Sequence, residues 1–107
     1  MIKRTVTLTR PTTEVEFPNI TEEGQTIFSN DVMPYITTNF LNTGKLTFGD
    51  RVVSADGLEL TLVSTWADQA AIDAYNTDPY IVENLISVRV SFLAANSISS
   101  TVNDEVV

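Results

Sequence analysis

The sequence contains no cysteine and no histidine. Without a thiol or an imidazole there is no disulfide, no zinc finger, no cysteine nucleophile and no Ser-His-Asp triad. Positive charge is scarce as well, since 6 Lys and Arg against 14 Asp and Glu give a formal net charge of −8 over 107 residues. The basic residues, Lys3, Arg4, Arg10, Lys45, Arg51 and Arg89, never cluster beyond a pair. A nucleic-acid backbone or an anionic membrane surface would therefore be repelled at long range. No apolar run approaches the roughly 20 residues that span a bilayer, and the first residues lack the apolar core of an export signal. Neither nucleic acid nor membrane is expected as a partner, and the location expected is cytoplasmic or virion-associated. Chemistry is left to carboxylate, hydroxyl, amide, guanidinium and indole groups.

What is present predicts a folded chain: 43% of residues are hydrophobic and only 19% charged, enough apolar surface to oppose disorder over a length that suits one core. Ile2, Val6 and Leu8 alternate with Lys3, Thr5, Thr7 and Thr9, the period of a half-buried strand. Arg4 is the one polar intrusion on its apolar side. Phe28, Val32, Ile36 and Phe40 recur every four residues, as on one face of a helix. Pro34 inside that stripe would cost about 3 kcal/mol unless the helix starts late, with Asn30 or Asp31 as N-cap and Pro34 in the first turn. Gly44 supplies the stop.

Residues 45–53 and 58–65 alternate again around Ser54-Ala55-Asp56-Gly57, a hairpin signal because glycine accepts the positive φ of the turn. Thr65-Trp66-Ala67-Asp68 has the spacing of a capped helix start, predicting a helix over 67–75 that ends before Asp78-Pro79. Residues 80–85 add a helical turn. Residues 86–94 read as a last strand, with Ile86, Val88, Val90 and Phe92 on one face, and 96–107 as a polar acidic tail ordered along the sheet edge or on a second subunit. The order βαββαβ predicts an α+β, ferredoxin-like domain over residues 1–95, a four-stranded antiparallel sheet with two helices on one face.

A hairpin ending in Trp66, then Ala67-Asp68-Gln69-Ala70-Ala71-Ile72-Asp73-Ala74-Tyr75 and Asp78-Pro79, resembles the strand, Trp, small helix, Pro pattern of the dimeric α+β barrel superfamily, which includes the antibiotic-biosynthesis-monooxygenase-like domains. The resemblance covers about half the chain, residues 45–94. It implies a dimeric α+β barrel, with protomers joined through their open sheet faces as a homodimer or higher homo-oligomer. The activities it implies range from cofactor-free oxygenation and haem degradation to isomerisation or none. Haem ligation by histidine is impossible here, so no cofactor is expected, and an oxygenase site would rest on Asn39 and Trp66.

Strand parity places Arg51, Glu59 and Arg89, with Lys3, Lys45 and a row of threonines, on the sheet face opposite the helices. There they could hold a carboxylate through a guanidinium fork or simply pair across strands, at well under about 1 kcal/mol each. Trp66 with Tyr75, Tyr80 and Tyr35 could line a pocket for a flat ligand, or Trp66 could plug the core. Asp68 is accounted for by helix capping and Asp73 by solvent. The acids match no EF-hand loop, so no metal site is expected. The leading expectation is a non-catalytic, homo-oligomeric structural or accessory protein, of the kind found in virions. The alternatives are a small-molecule enzyme, cofactor-free and monooxygenase-like, acting through Trp66, Asn39, Tyr35 and Arg89, and a ligand-binding module on the same cleft, using Arg51, Glu59, Arg89 and Tyr75. An enclosed cavity touching Trp66 and Arg89, with convergent polar groups, would favour the enzyme or the binding module; a solid core there, with Trp66 fully packed, would eliminate both.

Overall fold

The computed structural model describes residues 1–17 and 32–107. Strand β1 (Ile2–Thr9) lies where alternation put it. Helix α1 (Met33–Ile36) carries Pro34 in its first turn and runs on as a π-helical turn, Thr37–Leu41. Phe28 and the cap candidates Asn30 and Asp31 lie outside the described residues, and Val32 stands at the N-cap position. The segment ends in a Schellman motif: Lys45 N–H donates to the Phe40 carbonyl at 2.9 Å and Gly44 N–H to that of Leu41 at 3.1 Å, with Gly44 at φ 75°.

Strands β2 (Leu46–Val53) and β3 (Glu59–Trp66) form the hairpin. Asp56 Oδ1 fastens its turn by accepting from Ser54 Oγ at 2.6 Å and Leu58 N–H at 3.0 Å, and Gly57 takes φ 75°. Because β3 runs on through Trp66, the cap of α2 (Gln69–Thr77) is Asp68 itself, whose Oδ1 accepts from Ala71 N–H at 2.8 Å.

Residues 86–94 are not a strand. Asp78 caps a second helical start, its Oδ1 accepting from Tyr80 and Ile81 N–H at 3.0 and 3.2 Å, with Pro79 in the first turn. From there α3 (Pro79–Ile81), a π-helical stretch (Val82–Ile86) and α4 (Ser87–Ala95) follow without interruption. The buried residues of this rod, Ile81, Leu85 and Leu93, fall at helical spacing, whereas Val88 and Val90 of the alternating set are exposed. The fourth strand comes instead from the segment expected to be a tail: β4 (Ser99–Val106) pairs antiparallel along β1 from Thr9↔Ser99 to Ile2↔Val106.

The sheet order is β2-β3-β1-β4, fully antiparallel. With one helical crossover after β1 and a two-part crossover after β3, this is the ferredoxin-like α+β plan. On the helix side the register stacks four rows. Ile2, Trp66, Leu46 and Val106 form the first, Arg4, Ser64, Phe48 and Asp104 the second, Val6, Leu62, Arg51 and Val102 the third, and Leu8, Leu60, Val53 and Ser100 the fourth. Buried clusters form at the outer rows, one around Trp66, Leu46, Ile36, Ile72 and Ile81, the other around Leu8, Leu60, Leu93 and Ile98. The inner rows carry the arginines.

Candidate functional site

A cavity of about 360 Å³ lies over the two inner rows, between the sheet and the helical layer. Arg4, Val6, Leu62 and Ser64 form part of its floor, Met33 and Ile36 of α1 stand on one side, and Tyr75, Leu85 and Arg89 on the other. The sequence explains why the core does not close here. Arg4 and Ser64, cross-strand partners, put a charge and a hydroxyl where the outer rows put leucine, isoleucine and tryptophan.

Trp66 both plugs the core and lines the cavity. It is 4% exposed, packs edge to face on Tyr75 at 5.1 Å between ring centroids, and donates from Nε1 to Ser64 Oγ at 3.0 Å. Tyr75 is desolvated enough that burial pushes its hydroxyl up to about 12, with the Arg89 charge acting in the opposite direction. At neutral pH it is a phenol and can donate. Burial likewise holds the Arg89 guanidinium below its ordinary range, yet arginine keeps its charge. By surface exposure both side chains are only half-buried, as befits groups whose open side faces a cavity.

Arg4 is neutralised within the protein. Its Nε and one terminal nitrogen donate to the two oxygens of Asp104 at 2.8 and 2.9 Å, a bidentate pair that raises the guanidinium's pKa and lowers the carboxyl's. Arg89 makes no ion pair or hydrogen bond with any described residue.

The expected charged cluster of Arg51, Glu59 and Arg89 on the open sheet face is not formed. Arg89 belongs to α4. Arg51 is turned over by a β-bulge, since pairing steps from Phe48↔Ser64 to Arg51↔Leu62 so that two residues oppose Val63 alone. Gly49 permits that close pass, because a Cβ there would stand 3.1 Å from the Val63 carbonyl oxygen. Glu59 is exposed and, by alternation from Leu60, points away from the helices. Lys45 precedes β2 and holds its ammonium 5.6 Å from the centre of the Phe40 ring.

The structure thus gathers four sequence candidates, Trp66, Tyr75, Arg51 and Arg89, around one cavity. Asn39 and Tyr35 are elsewhere. Asn39 is exposed on the π-helical turn and donates to the Tyr35 carbonyl at 2.9 Å. The Tyr35 hydroxyl donates to Asp78 Oδ2 at 2.5 Å, and its ring lies 4.8 Å from that of Tyr80. The cavity residues missed in the sequence were Ser64, Phe48 and Leu62, together with Arg4, whose position on the apolar side of β1 was the available signal. Among the described residues no group of three or more Asp and Glu is placed to hold a metal ion, and no helix is long and apolar enough to cross a membrane.

No family model matches the sequence, and no curated protein does. Solved structures do match. A proposed antibiotic biosynthesis monooxygenase from Deinococcus radiodurans superposes with a TM-score of 0.50 at 11% identity, over 100% of this chain and 92% of that one. A dimeric ferredoxin-like protein from an uncultured marine organism gives 0.48 at 12% identity, over 99% and 94%. The Rv0793 protein of Mycobacterium tuberculosis gives 0.44 at 13%, over 100% and 97%. The likeness to the Deinococcus protein runs over the whole chain and is one of fold: this is a ferredoxin-like α+β protein.

Proposed function

We propose that the protein binds a small organic molecule in the cavity between sheet and helices, as a ligand-binding module or enzyme of the dimeric α+β barrel type. One observation carries this reading: Trp66, Tyr75 and Arg89, drawn from β3, α2 and α4, converge on a cavity of about 360 Å³, within the roughly 300–1,000 Å³ of small-molecule sites. A structural or accessory role needs no such space. Apolar side chains close the core over the outer rows, so an open-sided cleft kept over the inner ones favours a ligand.

The enzymatic form of this reading draws on the Deinococcus neighbour's description as a monooxygenase. With no imidazole or thiol, the polar groups offered to a substrate are the Tyr75 phenol, the Ser64 hydroxyl, the Asn76 amide, the Asp50 carboxylate and arginine. The phenol, hydroxyl, amide and guanidinium orient and bind, and of these groups only the Asp50 carboxylate has the chemistry of a base near neutral pH. Oxygenation here would use the reactivity of an electron-rich substrate held away from water. The homodimer, formed through the threonine-bearing open face of the sheet, and the cytoplasmic or virion-associated location belong to the same proposal.

The test is a saturable change in Trp66 fluorescence and in native mass on titrating small amphipathic compounds. Trp66 is the sole tryptophan of the chain, and the signal should weaken when the cavity is narrowed by Leu62→Phe. Dissolved oxygen consumed with a bound phenolic compound distinguishes the enzyme from the binding module. Failure of every compound in the panel to bind overturns both. Light scattering at micromolar protein reads the assembly, and a monomer refutes the barrel dimer.

A further inference from the structure

We infer that the ligand is a small amphipathic carboxylate, its charged end held by the Arg89 guanidinium beside the Tyr75 hydroxyl and its apolar body against Val6, Leu62 and Phe48. The inference rests on the cavity being the ligand site, and adds the chemical class of what enters.

Arg89 stands on the sheet-facing stripe of the helical rod, four residues after Leu85 and four before Leu93, both buried. At that position an aliphatic side chain would complete the core, and a charge withdrawn from water without a partner is destabilising. An arginine on such a stripe often lays its stem on apolar surface and sends its head to water. Arg89 instead lines the cavity, and burial holds its guanidinium below the ordinary range. Arg4, the half-buried guanidinium on the cavity floor, is matched by Asp104 through two hydrogen bonds, whereas Arg89 has no carboxylate among the described residues.

The charge around the cavity points the same way. Three arginines line it against one aspartate, Asp50, in a chain whose net charge is −8. With Arg4 neutralised by Asp104 and Asp50 next to Arg51 in the chain, the positive charge left unmatched among the described residues falls at Arg89. Tyr75, kept as a phenol, adds a neutral donor rather than a second charge. One fork and one hydroxyl suit a monoanion such as a carboxylate. The rest of the wall is mostly aliphatic, with Trp66 and Phe48 as aromatic members, so the remainder of the ligand is apolar.

Titrating the full chain with decanoate and with 1-decanol, followed by Trp66 fluorescence and calorimetry, tests this directly. Decanoate should bind at least about tenfold more tightly, the worth of one charge-assisted contact. Arg89→Gln should cut decanoate affinity by about tenfold or more while leaving decanol within about twofold, with an unchanged circular dichroism spectrum. Equal binding of the two compounds to the wild type, or decanoate affinity unmoved in Arg89→Gln, overturns the carboxylate inference and leaves the cavity reading standing. Binding of neither overturns both. Should Arg89→Gln not fold, the wild type carries the test by pH: the decanoate-to-decanol affinity ratio must fall as the ligand's carboxyl protonates below about pH 4.5, and a flat ratio overturns the inference.

Discussion

At the Trp66 end of the sheet ten described side chains form a buried cluster drawn from residues 32–40, α2, the Pro79–Ala95 rod and two strands; at the Leu8 end only four do. Between them the two inner rows, with Arg4, Ser64, Arg51 and Val6 on the helix side, border a cavity. The difference is one of residue type at equivalent positions of one sheet. Where the register presents Leu, Ile or Trp the helices close down. Where it presents the Arg4–Asp104 pair and Ser64 they do not, since taking even a paired charge out of water carries a desolvation cost that can exceed the attraction within the pair. The rod from Pro79 to Ala95 bridges all three regions, placing Ile81 and Leu85 in the larger cluster, Arg89 at the cavity and Leu93 in the smaller cluster.

The largest effect is expected where packing is complete. Ile81 is 0% exposed, and Ile81→Ala should lower stability by roughly 2–5 kcal/mol in chemical denaturation. A loss below about 1 kcal/mol would mean that the larger cluster is as loosely packed as the cavity region, and would erase the contrast.

The start of the rod comes next. Asp78→Ala removes two capping bonds and the acceptor of the Tyr35 hydroxyl, and should cost about 1–2 kcal/mol at neutral pH. The hydrogen bond from Tyr35 holds the Asp78 carboxyl below the usual carboxylate range, with help from Ile81 and Tyr80 N–H; Arg4 does the same for Asp104. As pH falls, the unfolded chain binds protons first, near about pH 4, and the folded chain only at its lowered values. The stability these carboxylates supply is therefore complete above about pH 5 and is lost progressively below it. Acid titration of stability should show a shallower decline in Asp78→Ala than in the wild type.

How much of this was legible depends on whether the deciding contact was local. Strand β1, the hairpin and α2 are written in alternation, in Asp56-Gly57 and in Asp68, and all three stand as expected from the sequence apart from their ends. The 86–94 segment carries two periods at once: Ile86, Val88, Val90 and Phe92 alternate, while Leu85, Arg89 and Leu93 repeat every four. The Asp78-Pro79 start, eight residues upstream of Ile86, decides for the helix. Strand β4 was invisible because an edge strand exposed on both faces has no apolar period to read. At the site, Trp66, Tyr75 and Arg89 were named, but Arg51 was put on the wrong face because a bulge shifts parity without any hydrophobic signal. Arg4, the polar intrusion on β1, was the plainest clue that the core had a gap.

The smaller cluster offers a gain. The rod ends in a second Schellman motif, with Ile98 N–H donating to the Leu93 carbonyl at 3.0 Å and Ser97 N–H to that of Ala94 at 3.3 Å. Its left-handed position, φ 56°, is held by Ser97, where the equivalent position after α1 has Gly44. A non-glycine residue pays about 1–2 kcal/mol there, partly offset by glycine's greater freedom in the unfolded chain. Ser97→Gly should raise stability by roughly 0.5–1 kcal/mol, read as a higher denaturant midpoint at unchanged slope. A lower midpoint would show that the Leu93 and Ile98 contact depends on the serine.

The smallest change in stability should come from Leu62→Phe, and its value lies in comparison with Leu60→Phe. The two leucines are neighbours on the helix side of β3. Leu60 is 2% exposed inside the smaller cluster, whereas Leu62 is half-buried and lines the cavity. A phenylalanine at 60 must displace packed atoms and should cost about 1–3 kcal/mol. At 62 the added ring has empty volume to enter, so stability should stay within about 1 kcal/mol of wild type while decanoate affinity falls. Equal costs at both positions would show that the space over Leu62 is filled by collapse in solution, and the division of the core into two clusters with a binding site between them would fail with it.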